Sequence, residues 1–395
     1  MSRFRIKKIN AIAKDGLDLL DAEKYSISED EKDPHGIMVR SSQVDTDDFP
    51  SLLAVARAGA GVNNITVDKA TEKGICIFNA PGANANAVVD LVFPMIGTWK
   101  RNIFNGLEFC KSLTEIEPDR VNEEVEARKA AFRGVEIQGK NLGVVGLGQI
   151  GVRLANGGVH RFMKVKGYDP FPAMQNIHQL LPEVVLTNAL PDAIGDADIV
   201  SVHVPLNERT RGMVNDEFIA KMKRGAVLVN YSRGPIVDED AVLKALDEGH
   251  LECYLCDFPT NKIIGHDKIL ITPHLGASTS ESEKNCSTMA ARELSAYLEY
   301  GNIVHSVNFP NIESIPAQKV HTRLIVINND MPGMIGMMTN VIGKHAIDID
   351  SFRNQSNGKV GYNIIDLRSA APPSLLDEIS GNKDVIRTRT IVFAD

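Results

Sequence analysis

The sequence predicts an α/β protein that contains a doubly wound parallel sheet and, at its C-terminal end, a smaller α+β domain. The chain has 395 residues, more than one ordinary domain holds. Between residues 141 and 273, apolar strands alternate with helical segments, which is typical of βαβ units in a parallel sheet. The last segment, from Val320 to Asp395, fits the order strand–helix–strand–strand–helix–strand and is long enough to fold as a domain.

The remaining predicted segments precede or follow this alternating region in the sequence. The first 80 residues alternate short apolar strands with helical stretches, and residues 88–133 are predicted to be helical with a solvated, charged face. Residues 279–300 are predicted to form one long helix, and a polar segment with prolines near 308–318 predicts a linker. The predicted strands before the linker are GIMVRS, SLLAVARAGA, GICIFNA, LGVVG, MKVKGY, DIVSVHV, AVLVNYS, LECYLCD and ILITP.

Composition excludes several classes of protein. Lys and Arg total 43 against 51 Asp and Glu, which gives a formal net charge of −8, and no block of basic residues occurs. We therefore expect neither nucleic acid nor a membrane as partner. No apolar run approaches the roughly 18 residues that span a bilayer. The start, MSRFRIKKINAIAKDGLDLL, lacks the apolar core of a secretory signal.

The five cysteines predict a reducing, cytoplasmic location rather than a disulfide framework. Cys253 and Cys256 form a CxxC pair, but LECYLCDF is typical of a buried strand, where residues three apart face opposite sides. No second cysteine pair or nearby histidine completes a zinc site, so we expect buried thiols and no metal.

A glycine-rich turn predicts the cofactor. Gly146, Gly148 and Gly151 form GxGxxG between the strand LGVVG and a helix that Gln149 and Ile150 open. The glycines allow a tight turn, close approach of a pyrophosphate and close helix–strand packing, with the phosphates at a helix N-terminus. Asp169 ends the next strand, where a carboxylate binds a ribose 2′-hydroxyl and repels a 2′-phosphate. We therefore predict NAD rather than NADP.

Two polar segments predict the chemistry. Arg233 follows the strand AVLVNYS and His274 follows ILITP, and we expect these strand ends to be adjacent, facing the cofactor. Hydride transfer to or from a carbonyl carbon needs an acid/base group, for which His is suited near neutral pH. It also needs a cation that pairs with a carboxylate and polarises the carbonyl, as Arg does.

With these motifs in place, the chain resembles the D-2-hydroxyacid dehydrogenase family. The resemblance covers essentially the whole chain and rests on GLGQIGVRLA with YDP, SVHVPLNERTRGMVN, VNYSRGPIVDEDAVLKAL and TPHLGAST. VRSSQV, RAGAGVNNI and NNDMPGMIG resemble the branch of the family that acts on 3-phospho-D-glycerate and carries a C-terminal ACT domain.

The resemblance implies NAD-dependent oxidation of 3-phospho-D-glycerate to 3-phosphohydroxypyruvate, the first step of L-serine biosynthesis, by a homodimer or homotetramer. It implies a split, flavodoxin-like substrate domain, a Rossmann-type nucleotide domain and an ACT-like regulatory domain. The expected bounds are 1–92 with 288–310, 93–287, and 319–395, respectively.

The resemblance also implies roles for single residues. Arg233 would hold the substrate carboxylate and carbonyl, and His274 would be the acid/base. The residues expected at the cofactor, besides the glycine motif and Asp169, are His203, Pro205, Ser232 and Asp257. Those expected at the substrate are Arg40 and Arg57 for the phosphate, the backbone amides of Ala60 and Gly61 for the carboxylate, and Asn84.

One departure from the family pattern lies beside the expected active site. The family carries a Glu that orients the catalytic His, but this chain has Asn261 and Lys262 in Asp257-Phe-Pro-Thr-Asn-Lys. An amide cannot raise the pKa of His274 as a carboxylate does, and a nearby Lys would lower it. We expect an active enzyme with a weakened or differently pH-dependent His.

A second departure lies in the ACT-like domain. The positions that sense serine in the family hold Asn328, Asn329, Asp330 and Asp348, and the added negative charge opposes binding of a serine carboxylate. Two roles of this domain therefore stay open: it binds L-serine or another amino acid, or it serves only for assembly. Two other functions also stay open: a dehydrogenase for another 2-hydroxy acid, and an NAD- or amino-acid-responsive regulatory protein without turnover.

Overall fold

Three sheets organise residues 3–393, the part of the chain that the computed structural model describes. Contacts divide the chain into two units. The first unit comprises the residues up to Asn84 and from Ser280 onward, and the second unit runs from Ala85 to Thr279. None of the helices within residues 3–393 is long and apolar enough to cross a membrane.

The first unit begins with a five-stranded parallel sheet in the order β2-β1-β3-β4-β5. This order is that of flavodoxin-like folds. Its elements are β1 (Phe4–Ile9), α1 (Lys14–Leu17), β2 (Tyr25–Ser28), β3 (Gly36–Val39), β4 (Ala54–Arg57), α2 (Val67–Glu72) and β5 (Cys76–Phe78).

The second unit contains a seven-stranded parallel sheet in the order β12-β11-β10-β9-β6-β7-β8. The order reverses at the pair β6 and β9, which is where doubly wound sheets bind ligands. Its elements are α3 (Ala85–Lys100), α4 (Ile103–Ser112), α5 (Val121–Arg128), β6 (Asn141–Val145), α6 (Gln149–Val159), β7 (Lys164–Tyr168), α7 (Met174–Ile177), β8 (Val185–Leu186), α8 (Leu190–Ile194), β9 (Ile199–Val202), α9 (Asp216–Ala220), β10 (Ala226–Asn230), α10 (Glu239–Asp247), β11 (Leu251–Cys256) and β12 (Ile269–Ile271).

The two faces of this sheet bury separate apolar cores. Cys253 lies in one core and Cys256 in the other, which confirms that the two thiols of the CxxC pair face opposite sides of β11. Burial raises the pKa of Cys256 to about 11, so this thiol is protonated at neutral pH.

The chain returns to the first unit through one long helix and then forms a four-stranded antiparallel sheet in the order β14-β15-β13-β16. The helices α12 and α13 cover one face of this sheet. The order of elements is the predicted one and fits an ACT-like domain. The elements are α11 (Ser280–Tyr300), β13 (Thr322–Asn329), α12 (Met334–Lys344), β14 (Ile349–Ser356), β15 (Val360–Leu367), α13 (Pro373–Ser380) and β16 (Val385–Val392).

The C-terminal domain shares a core with the first sheet. Ile325, Ile327 and Tyr362 belong to the same apolar cluster as Tyr297 of α11 and Phe309. The segment predicted as a polar linker is therefore partly buried, because Phe309 and nearby Ser314 pack inward.

Side chains of the C-terminal domain also satisfy carbonyl groups at the end of α11, which have no partners within the helix. Arg389 donates to the carbonyls of Tyr297 and Leu298. Arg323 donates to that of Tyr300 at 2.8 Å. Arg323 is fully buried and forms a two-point ion pair with Asp366 in β15.

The domain boundaries expected from the sequence differ from the contacts. The expected boundary after residue 92 falls inside α3, and the one after residue 287 falls inside α11. Contacts place the boundaries where each helix begins, at Ala85 and Ser280. The buried apolar residues of α11 from Cys286 to Leu298 belong to one core, so a boundary after residue 287 would cut through one packed face of the helix.

A carboxyl group is buried on the inner face of α11. Glu293 is 7% exposed, and its Oε1 lies 2.8 Å from Nδ1 of His305, whereas its Oε2 has no partner within residues 3–393. Burial raises the pKa of Glu293 to about 9.

Candidate active site

The glycine turn after β6 has three glycines with three different surroundings. Gly146 has a φ of 93°, and a Cβ there would collide with the carbonyl of His203. A Cβ on Gly151 would collide with the carbonyl of Gly146. A Cβ on Gly148 would meet nothing within 4 Å, so open space lies beside the N-cap of α6. This space, next to free helix N–H groups, suits the pyrophosphate of a dinucleotide.

Asp169 lies directly after β7 and is fixed by two backbone donors. The N–H of Leu147 donates to its Oδ2 and the N–H of Phe171 to its Oδ1, each at 2.8 Å. Each carboxylate oxygen keeps a further acceptor position, so a ribose hydroxyl can still bind. Gln149 instead turns toward the protein, and its Nε2 donates to Asn176 at 2.7 Å. Ile150 packs against one of the cores.

Three more of the predicted cofactor residues follow the ends of β9 and β10. His203 is buried, its Nε2 lies 2.7 Å from the hydroxyl of Ser201, and its Nδ1 is buried without a partner within residues 3–393. Burial lowers the pKa of His203 to about 4, so the ring is neutral near pH 7. Ser232 donates to the carbonyl of Val202 at 2.6 Å and ties the two strands together. Pro205 is exposed.

Arg233 is presented by a turn that Asn230 braces from both sides. The Oδ1 of Asn230 accepts from the N–H of Ser232 at 3.1 Å, and its Nδ2 donates to the carbonyl of Arg233 at 2.9 Å. Asn230 is fully buried at the end of β10. Burial lowers the pKa of Arg233, although the guanidinium keeps its charge. The sequence contains a signal for this role of Asn230, because it is the single polar residue at the end of an otherwise apolar strand.

His274 lies in a loop that Asp257 holds from the neighbouring strand. Asp257 is 2% exposed, and its carboxylate accepts from the Thr272 hydroxyl at 2.5 Å. It also accepts from the N–H groups of Leu275 and Gly276, each at 2.7 Å. Asp257 was expected at the cofactor; its carboxylate already accepts three hydrogen bonds that shape this loop.

The His274 residue itself is exposed and has a left-handed backbone, with a φ of 57°. Its N–H donates to the carbonyl of Asp257 at 3.0 Å, and its ring packs edge-on against Phe258, with centroids 5.1 Å apart. Within residues 3–393 the ring nitrogens have no hydrogen-bond partner. The ring is thus oriented by its backbone and by Phe258, and both nitrogens are open to a substrate.

The sequence predicted that the strand ends carrying Arg233 and His274 are adjacent, and this prediction is wrong. They follow β10 and β12, and β11 lies between them. Because the strands are parallel, all three carboxyl ends meet at one edge of the sheet, with Asp257 in the middle.

Neither of the two residues in place of the family Glu is hydrogen-bonded to His274 within residues 3–393. No hydrogen bond joins Asn261 to His274 in the described part of the chain. Lys262 pairs with Asp240 of α10 at 2.5 Å, so its charge is compensated there. This pairing removes the physical reason to expect an effect of Lys262 on His274.

The first unit carries the predicted anion-binding residues at the carboxyl ends of β3 and β4. Arg40 follows β3, and its neighbour Arg57 ends β4 and donates from Nε to the Arg40 carbonyl at 3.0 Å. The amides of Ala60 and Gly61 have no hydrogen-bond partner within residues 3–393. Asn79 fixes this loop by donating to the carbonyl of Ala60 at 2.6 Å.

Asn84, at the end of the first unit, is half-buried, and its amide oxygen is buried without a partner within residues 3–393. An acceptor of this kind is available to a ligand donor. The structure is compatible with a substrate role of Asn84, which stays a prediction.

The predicted amino-acid-sensing residues are not brought together within one chain. Asn328 is buried at the end of β13 and accepts from Asn363 at 2.7 Å, and Asp330 follows it and accepts from Ser356. Asp348 precedes β14 at the opposite end of the sheet and pairs with Arg368 at 2.7 Å.

Comparison with known proteins identifies a family and relatives that this chain resembles. The family described as D-isomer specific 2-hydroxyacid dehydrogenase, NAD binding domain, matches residues 105–276. The chain is 30% identical over 397 residues to the D-3-phosphoglycerate dehydrogenase of Haemophilus influenzae, covering 94% of this chain and 91% of that protein. It is 32% identical over 326 residues to that of Bacillus subtilis, covering 78% of this chain and 59% of that relative.

Two solved structures that match this chain are also dehydrogenases. A 3-phosphoglycerate dehydrogenase of Entamoeba histolytica with bound NAD+ matches with a TM-score of 0.62 and 25% identity, covering 78% of this chain and 99% of that one. A D-mandelate dehydrogenase of Rhodotorula graminis matches with a TM-score of 0.65 and 23% identity, covering 80% and 100%. At the latter identity the similarity concerns the fold alone.

Proposed function

This chain belongs to the D-isomer specific 2-hydroxyacid dehydrogenases, and from that premise we propose that it oxidises 3-phospho-D-glycerate to 3-phosphohydroxypyruvate with NAD. The observation that carries the choice of substrate lies in the first unit. Arg40 and Arg57 adjoin a loop whose Ala60 and Gly61 amides have no hydrogen-bond partner in the described part of the chain. Two anion-binding features in one place suit a substrate with a phosphate and a carboxylate.

The cofactor is NAD, and the residues of the second unit fit it. The open space at Gly148 admits the pyrophosphate, Asp169 keeps acceptor positions for the ribose, and the orphan Nδ1 of His203 is available to a polar group. When bound, NAD supplies the acceptor for the hydride that leaves C2 of the substrate.

The protein's own part in the reaction is binding and proton transfer. Arg233 binds the substrate carboxylate and polarises the oxygen at C2, and its partial burial strengthens both interactions. A ring nitrogen of His274 takes the proton of the C2 hydroxyl as the hydride leaves, and returns it in the reverse direction. Asp257 and Asn230 keep the two catalytic loops in place.

The absence of the family Glu changes what His274 can do. Without a carboxylate partner, no hydrogen bond within residues 3–393 fixes the tautomer of the His274 ring, so we expect slower turnover than in an enzyme that has the Glu. The catalytic residues present favour this weakened enzyme over the alternative of an NAD-responsive protein without turnover.

We further propose a cytoplasmic homodimer or homotetramer. All five cysteines are free thiols, which suits a reducing compartment. A site for L-serine that used Asn328, Asp330 and Asp348 together would need two C-terminal domains, because one chain holds them at opposite ends of its sheet. Isothermal titration with L-serine distinguishes this regulatory role from a purely assembling one.

The test of the proposed substrate is NADH oxidation by the purified protein with 3-phosphohydroxypyruvate, hydroxypyruvate and glyoxylate. We expect selective turnover of the phosphorylated acid, and Arg40→Ala should remove that selectivity while leaving hydroxypyruvate reduction nearly unchanged. Equal rates with all three acids would assign the enzyme to another 2-hydroxy acid. NADH binding without any turnover would favour the regulatory alternative.

A further inference from the structure

We propose that Glu283 is a specificity-determining residue that competes with the substrate phosphate for Arg40 and so lowers the affinity of the site for anions. This inference rests on the proposed function. Its basis is an ion pair of 2.7 Å between Oε1 of Glu283, in the first turn of α11, and Nη1 of Arg40. The two side chains are 39% and 31% exposed, so a ligand can reach the pair.

Arg40 has a cationic neighbour, which makes a carboxylate at this place significant. Val39 and Arg57 are register partners in the parallel pair β3 and β4, so Arg40 and Arg57 lie at one sheet edge. The Arg57 side chain reaches back to the Arg40 carbonyl and lies against Gly59, where a Cβ would collide with its guanidinium. Two neighbouring guanidinium groups repel each other, and Glu283 relieves that repulsion while the site holds no anion.

The backbone of Glu283 is held in place. Gly16 of α1 lies so close to Ser287 of α11 that a Cβ on it would collide with the Ser287 backbone. One turn nearer the N-terminus, Lys284 pairs with Asp15 at 2.6 Å. These contacts hold the start of the helix beside Arg40, so we expect the Glu283 side chain, rather than the helix, to respond when an anion binds.

An incoming phosphate dianion must therefore displace the carboxylate from Arg40 or bind beside it. At a separation of about 6 Å in an effective dielectric near that of water, repulsion between a dianion and a carboxylate lowers affinity about tenfold. Glu283 thus sets the affinity for the phosphorylated acid below what two arginines alone would give, which speeds release. Glu283 does not lower the affinity for substrates that lack a phosphate.

The experiment uses the full-length protein and two probes, inorganic phosphate as an inhibitor and 3-phosphohydroxypyruvate as a substrate. In Glu283→Gln we expect the inhibition constant of phosphate and the KM of the phosphorylated acid to fall about tenfold, with the KM of hydroxypyruvate unchanged. The matched control is Asp15→Asn, which removes one negative charge from an ion pair with the same helix but does not touch Arg40. It should change these constants less than twofold.

The double variant Arg40→Ala/Glu283→Gln identifies the cause. If Glu283 acts through Arg40, adding Glu283→Gln to Arg40→Ala should improve phosphate binding no more than Asp15→Asn does. Unchanged or weaker phosphate binding in the single Glu283→Gln variant would overturn the inference, since Glu283 would then be neutral or would position Arg40. Failure of the proposed function has another signature: the wild-type protein would not prefer the phosphorylated acid at all.

Discussion

Substitution of Gly148 by Ala separates cofactor binding from folding. A Cβ at this position meets no protein atom within 4 Å, and the residue has an ordinary φ of −75°. As a helix N-cap, Ala is less favourable than Gly, but the free energy of unfolding should fall by no more than about 1 kcal/mol. The added methyl group occupies the space beside the helix N–H groups where the pyrophosphate would bind.

The expected effect on binding follows from the lost contacts. Displacement of the pyrophosphate by the methyl group removes one charge-assisted hydrogen bond, worth about 1.5 to 3 kcal/mol. The Kd of NADH, measured by fluorescence titration, should rise about tenfold to a hundredfold. The control is Gly151→Ala, whose Cβ would collide with the carbonyl of Gly146. This variant should lose about 1 to 3 kcal/mol of stability by urea unfolding. An unchanged Kd in Gly148→Ala would refute the assignment of this space to the cofactor.

Three further predictions concern Asp257, Asn261 and Glu293. Asp257→Asn removes a charged acceptor of three hydrogen bonds, so kcat should fall at least tenfold and the urea midpoint should drop; unchanged kcat would contradict its role in shaping the His274 loop. Asn261→Ala should leave the pH–rate profile unchanged, because no hydrogen bond joins Asn261 to His274, and a shifted profile would restore an orienting role. Burial raises the pKa of Glu293 from 4.5 to about 9, so the folded state holds a proton that the unfolded state loses above about pH 4.5. Stability should therefore fall by up to about 1.4 kcal/mol per pH unit as the pH rises toward 9. Glu293→Gln should flatten that dependence in urea unfolding from pH 5.5 to 9, and parallel profiles of the two proteins would contradict it.

The turn, helix and strand end around the predicted nucleotide site could be predicted from the sequence because the signals for them are local. A glycine turn, a helix start and a carboxylate at the next strand end lie within one βαβ unit, so Gly146, Gly148, Gly151 and Asp169 could be placed without knowing the fold. The antiparallel C-terminal domain was also predictable, since its order of strands and helices is visible in the apolar pattern.

Features that depend on contacts between distant segments were not predictable. Because β11 lies between β10 and β12, Asp257 lies between the loops of Arg233 and His274. The spacing of residues along the chain does not reveal this order of strands. The pairing of Lys262 with Asp240 likewise joins a loop to a separate helix.

The expected domain bounds differ from the contact units, and the expected linker is partly buried, for a related reason. Composition indicates where polar residues and prolines occur, but it does not show that a segment packs against a sheet from elsewhere in the chain. Ser314 illustrates this, because it is buried and its carbonyl accepts from Arg323 at 2.9 Å.

The central claim is that Arg233 binds the substrate and His274 moves the proton. The most direct test is the steady-state rate of 3-phosphohydroxypyruvate reduction by NADH, measured from pH 5 to 9 for the wild-type protein and for His274→Asn. We predict that kcat falls about 10² to 10⁴-fold in the variant, that its pH dependence disappears, and that the Kd of NADH does not change. A variant with the wild-type rate and pH profile would contradict the account.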